Sequence, residues 1–133
     1  VKKVLVVDDD PDLLQYTIMT LNRGGVAAIG AHSGAEAMIF LSRNKRDVRL
    51  LLSDIVMPRM TGLELAAEVT AMGPQLPIIF MTGYMTDHME QFGDALRGHP
   101  VLGKPFTPAE LLAVVRKALG LAEKAKSADL TSS

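Results

Sequence analysis

The side chains suited to phosphoryl or metal chemistry are Asp8, Asp9, Asp10, Asp54, Thr82 and Lys104. Asp54 ends the apolar run Leu50-Leu51-Leu52-Ser53 and is followed by Ile55-Val56-Met57-Pro58. A carboxylate can attack phosphorus as a nucleophile and form an acyl phosphate. If Asp8 and Asp9 converge on Asp54, the like charges raise one another's pKa unless a cation intervenes. Lys104 is one such cation. A hard divalent ion such as Mg²⁺, which takes oxygen ligands, is the other. Metal, lysine and a hydroxyl together stabilise charge on transferring phosphoryl oxygens. The set reads as a phosphoryl-acceptor site, though no member makes the case alone.

Convergence requires elements that bring these positions to one place. Lys3-Val4-Leu5-Val6-Val7 is β-rich and runs into Asp8-Asp9-Asp10-Pro11, where Asp10 reads as a helix N-cap and Pro11 as the first helical residue. Leu13, Leu14, Ile18 and Leu21 recur at helical spacing, and Gly24-Gly25 close that helix. A short strand follows at 26–31. Ser33-Gly34-Ala35-Glu36 has the form of a capping box and opens a helix to about Asn44. The strand ending at Asp54 comes next, then a helix entered at Gly62 and ending near Gly73-Pro74. A fourth strand, 76–81, delivers Thr82, and a more polar helix spans 85–96. The short strand 101–103 reaches Lys104, and the capping box Thr107-Pro108-Ala109-Glu110 starts the last helix, 111–119.

Strands alternating with helices imply a parallel sheet covered on both faces. The expectation is an α/β flavodoxin-like three-layer (βα)5 sandwich with strand order 2-1-3-4-5. Its carboxyl edge then carries Asp8, Asp9, Asp54, Thr82 and Lys104, which is where open parallel sheets place ligands. The predicted domain is 1–120, with 121–133 as a helix end or linker tail.

The length of 133 residues suits one domain with a sizeable core. A net charge of −1 supplies no basic field for nucleic acid, so no direct nucleic-acid partner is expected. The absence of cysteine removes disulfides, thiolate chemistry and Cys-ligated zinc. No apolar run approaches the ~20 residues of a bilayer span, so membrane insertion is not expected and the cytoplasm is the default location. The start at Val1 instead of methionine reads as a piece cut from a longer protein.

Val4-Leu5-Val6-Val7-Asp8-Asp9-Asp10, the stretch from Asp54 through Pro58 to Gly62, Met81-Thr82-Gly83 and Lys104-Pro105-Phe106 resemble the receiver domain of two-component response regulators. The resemblance implies that Asp54 accepts phosphate from a histidine kinase or histidine phosphotransfer domain. It implies that Asp9 and Asp54 ligate Mg²⁺ (with Mn²⁺ able to substitute), that the Val56 carbonyl completes the protein ligands, and that Asp8 acts largely through water. Thr82 and Lys104 would contact phosphoryl oxygens, and Lys104-Pro105 would be cis. The implied partners are that kinase or phosphotransfer domain, a downstream effector or attached output domain, and a second copy through the fourth-helix to fifth-helix face. The ending Val101-Leu102-Gly103-Lys104-Pro105-Phe106 resembles receivers attached to hybrid sensor kinases.

Two competing functions are a Mg²⁺-dependent phosphohydrolase of haloacid-dehalogenase type, using Asp8-x-Asp10, and an interaction module that has lost phosphorylation. The first leaves Asp54 without a role, and the complete acidic set argues against the second. His32, His88 and His99 lack metal spacing and read as surface or loop residues. Met85 and Met89 read as packing, on a segment that receivers use for partners. Arg59 reads as solvated. Many receivers carry an aromatic residue three positions before the lysine, where this chain has Val101, an aliphatic that cannot act as an aromatic rotamer switch. Tyr84 is placed to shield a phosphorylated site from water.

Overall fold

The computed structural model describes residues 2–73 and 76–131, with side chains described as far as 120. Five strands, β1 (Lys3–Val7), β2 (Ala28–Ala31), β3 (Val48–Asp54), β4 (Ile78–Thr82) and β5 (Val101–Gly103), alternate with five helices. These are α1 (Pro11–Arg23), α2 (Gly34–Asn44), α3 (Gly62–Ala71), α4 (Met85–Leu96) and α5 (Pro108–Thr131). All strand pairs are parallel and the order is β2-β1-β3-β4-β5, as expected. The backbone of α5 stays helical to Thr131, through the segment read from sequence as a helix end or linker tail.

Alternation along the strands divides the core in two, because successive side chains point to opposite faces. Val4, Val6, Leu50, Leu52, Ile79 and Met81 pack against Leu14 and Leu21 of α1 and Leu111, Val115 and Leu119 of α5. Leu5, Val7, Leu51, Ile78 and Phe80 pack against Ala37 and Leu41 of α2, Leu65 and Val69 of α3, and Leu96 of α4. A sheet buried on both faces needs uninterrupted apolar strands, which is why β3 reads as a run of leucines.

Most boundaries match the sequence reading, and those that move have local causes. The second strand starts at Ala28 because the Val26 N–H donates back to Leu21 O, closing α1 instead of joining the sheet. Gly25, at φ 82, makes the turn that allows this. A single 3-10 turn, Lys45–Asp47, separates α2 from β3 and was not anticipated. Among the described residues no helix is long and apolar enough to cross a membrane.

Candidate functional site

β1 and β3 are neighbours in register, Val7 opposite Ser53, so the residues that follow them, Asp8 and Asp54, emerge side by side. Asp8 is buried, Asp54 is partly buried and Asp9 is exposed. Each offers a carboxylate oxygen, and the three oxygens lie within 4.8 Å of one another. Lys104 enters from the end of β5. Its Nζ donates to Asp8 Oδ2 at 2.9 Å and lies 3.2 Å from Asp54 Oδ2. The Lys104 backbone N–H donates to Thr82 O at 2.7 Å, which ties the lysine to the end of β4. Lys104-Pro105 is cis, as the resemblance implied.

The backbone that follows Asp54 is anchored too. Ile55 N–H donates to Met81 O at 3.0 Å, and Gly62 N–H returns from the loop to Ile55 O at 2.8 Å. A Cβ on Gly62 would stand 2.1 Å from the Asp54 carbonyl oxygen, so only glycine lets α3 start this close to β3. Burial pushes the Asp54 carboxyl above its ordinary pKa; Lys104 opposes that shift, and Asp8 and Asp9 reinforce it. Three carboxylates against one ammonium leave room for a further cation, and an all-oxygen set of this spread suits Mg²⁺.

The structure is similar to the receiver domain of NtrX from Brucella abortus, at 30% identity and a TM-score of 0.78 over 89% of this chain and 98% of that one. The response regulator receiver domain model matches residues 4–116. The chain belongs to the response regulator receiver domain family. As a receiver domain it is a phosphoacceptor module of two-component signal transduction. The response regulator receiver protein CpdR of Brucella abortus (strain 2308) is 36% identical over 118 residues, covering 89% of this chain and 97% of CpdR. Response regulator MprA of Mycobacterium avium (strain 104) is 32% identical over 117 residues, 88% of this chain but only 50% of MprA.

Within this receiver domain the predicted site residues separate into two groups. Asp8, Asp9, Asp54 and Lys104 come together, and Val56 follows in the exposed loop two residues beyond Asp54. Thr82 stands at the end of β4, but among the described residues its hydroxyl is bonded to α4. Oγ1 accepts the Tyr84 N–H at 3.0 Å and is in hydrogen-bond contact with His88 Nδ1. Asp10 caps α1, accepting the N–H groups of Asp12 at 3.0 Å and Leu13 at 3.3 Å. That employment leaves no Asp8-x-Asp10 catalytic pair, so the phosphohydrolase reading loses its nucleophile motif.

Several expectations are corrected. His88 is not a surface residue: it is buried against Thr82, between the rings of Tyr84 and Phe92. The sequence did contain a signal, since Tyr84, His88, Phe92 and Leu96 recur every fourth residue and make one helical stripe. Met85 and Met89 are exposed because the inward face of α4 carries His88 and Leu96, with Phe92 half-buried between them. Tyr84 is 67% exposed and leans on His88, so its ring stands mostly in solvent. The Ser33 box is only half formed: Ser33 caps Glu36 N–H, but the Glu36 carboxylate takes the N–H of His32. A complete box occurs instead at Thr61 and Glu64, a Thr-x-x-Glu pattern overlooked in the sequence. His32 and Arg59 are exposed, as expected, while His99 lies half-buried with its ring edge-on to Phe80.

Proposed function

We propose that Asp54 is the residue that accepts the phosphoryl group, in a Mg²⁺-dependent reaction, and that the domain spans 1–120 with 121–133 outside it. The observation carrying this reading is the Asp8, Asp9 and Asp54 cluster with Lys104 bridging Asp8 and Asp54. An Asp54 carboxylate oxygen forms the new bond to phosphorus while the bond to the donor's leaving group breaks. Lys104 neutralises charge on the phosphoryl oxygens. Asp9, Asp54 and the Val56 carbonyl would hold the metal. Asp8 acts from behind, since Asp10 N–H occupies its Oδ1 and Lys104 its Oδ2. Bound Mg²⁺ supplies positive charge and fixes the orientation of phosphoryl oxygens. The rigid mount suits a reaction that depends mainly on positioning.

The donor is a histidine kinase or histidine phosphotransfer domain, and the recipient of the signal is an effector or attached output domain. The face formed by α4, β5 and α5 responds to the added charge and serves as a dimer surface. Phosphate acceptance is stoichiometric, not sustained turnover. Incubation with acetyl phosphate and Mg²⁺, followed by intact mass measurement, tests the reading. One phosphoryl group per wild-type chain is expected, with none in Asp54→Asn. Labelling that survives Asp54→Asn, or continuous hydrolysis of the donor by that variant, defeats it.

A further inference from the structure

Thr82 holds the start of α4 in the way that Asp10 holds the start of α1. Tyr84, at the N-cap of α4, makes no side-chain capping bond of its own. Its N–H goes to Thr82 Oγ1, and His88, one turn on, meets the same oxygen through Nδ1. Thr82 is 1% exposed and His88 8% exposed, so water is a poor substitute partner for either. The His88 ring is fixed further by Tyr84 and Phe92, with ring centres 5.7 and 5.6 Å away.

A hydroxyl has one proton and two lone pairs. Tyr84 N–H occupies one lone pair. In the His88 tautomer with its proton on Nε2, Nδ1 accepts the Thr82 proton. Phosphoryl oxygens accept hydrogen bonds and do not donate them. A phosphoryl group on Asp54 therefore competes with His88 for a single proton. When Thr82 turns to the phosphoryl group, a buried Nδ1 loses its donor, which is unfavourable. The imbalance is relieved by a tautomer change or by movement of the first turn of α4.

We propose that His88 is a positioning residue that keeps the Thr82 hydroxyl on α4 until Asp54 is phosphorylated, and that breaking this bond carries the change into α4. His88 would serve where an aromatic at position 101 cannot, because Val101 is aliphatic. The proposal rests on the reading of Asp54 as phosphoryl acceptor.

The full chain, labelled with ¹⁵N, is observed by imidazole nitrogen NMR in the presence of Mg²⁺, before and after beryllofluoride, a carboxylate-bound phosphoryl mimic. The His88 Nδ1 resonance is expected to move to that of a nitrogen without a donor, or to exchange with Nε2. In Thr82→Val the moved resonance is expected from the start. Labelling by acetyl phosphate is expected to be severalfold faster in His88→Leu, which packs but cannot hold the hydroxyl. His88→Asn, whose Oδ1 lies near the Nδ1 position, is expected to restore the slower rate. Unchanged His88 nitrogens in protein whose Asp54 is shown by mass to be labelled would overturn the proposal alone, as would equal rates in wild type and His88→Leu. Failure of wild-type labelling would remove the underlying reading and the proposal together.

Discussion

α1 and α4 both begin at the carboxyl edge of the sheet, yet their first turns are secured differently. α1 carries its own cap: Asp10 accepts two of the free N–H groups, and Pro11 is preset for the first helical position. α4 has no such residue and leans on Thr82, which belongs to β4 and to the candidate site. The acidic half of the site is thus built on parts whose local interactions are complete, namely Asp8 behind the Asp10 cap and Asp54 behind Gly62. The α4 half shares its anchor with the chemistry. A helix whose cap can be called away is suited to report a change, and a helix with a private cap is suited to stay still.

The largest expected effect comes from disturbing the still half. Gly62→Ala places a Cβ against the Asp54 carbonyl oxygen and should cost about 3 kcal/mol in denaturant melts while slowing phosphoryl labelling. Next is the metal: Mg²⁺ at about a hundred times its dissociation constant should stabilise the fold by ~2.7 kcal/mol, read from thermal melts. Most of that gain should vanish in Asp9→Asn. The two helix starts can then be compared directly. Asp10→Ala should lose about 1 kcal/mol of global stability and leave labelling of Asp54 intact. Thr82→Val should speed amide exchange in the first turn of α4 by roughly tenfold. Equal responses from the two helices in exchange measurements would erase the distinction between them.

The smallest effect concerns pH. Because burial holds the Asp54 carboxyl above its ordinary pKa, the folded chain keeps that proton to higher pH than the unfolded chain. The associated stability is present below the unfolded pKa and is lost as pH rises through the folded one. In metal-free buffer Asp54→Asn should therefore melt higher than wild type at neutral pH. The gain should be less than the Asp10 cap is worth, and should shrink to nothing in acid. A gain that persists in acid would assign it to packing instead of charge.

The acidic half was legible in the sequence because each member directly ends a strand. Once Val4 to Val7 and Leu50 to Leu52 are recognised as buried parallel strands, Asp8 and Asp54 have little freedom in where they emerge. Asp10 was equally plain, since an N-cap acts on residues two and three positions away. His88 was missed because a histidine in a mixed helix does not announce which face will be buried. The four-residue stripe through Tyr84, Phe92 and Leu96 carried the information, but the polar residues around it masked it. Met85 and Met89 misled for the same reason, as apolar type alone does not fix orientation.

The sequence by itself determined the strands, the five helix starts and the residue types delivered to the edge of the sheet. Those are local matters, settled by alternation, capping and backbone preference over a few residues. Tertiary structure alone decided that Lys104 bridges Asp8 and Asp54, that Gly62 must lack a side chain, and that the Thr82 hydroxyl faces His88. Each depends on how an element docks against another, where shifts of an ångström make or break a hydrogen bond, and no local preference specifies that distance.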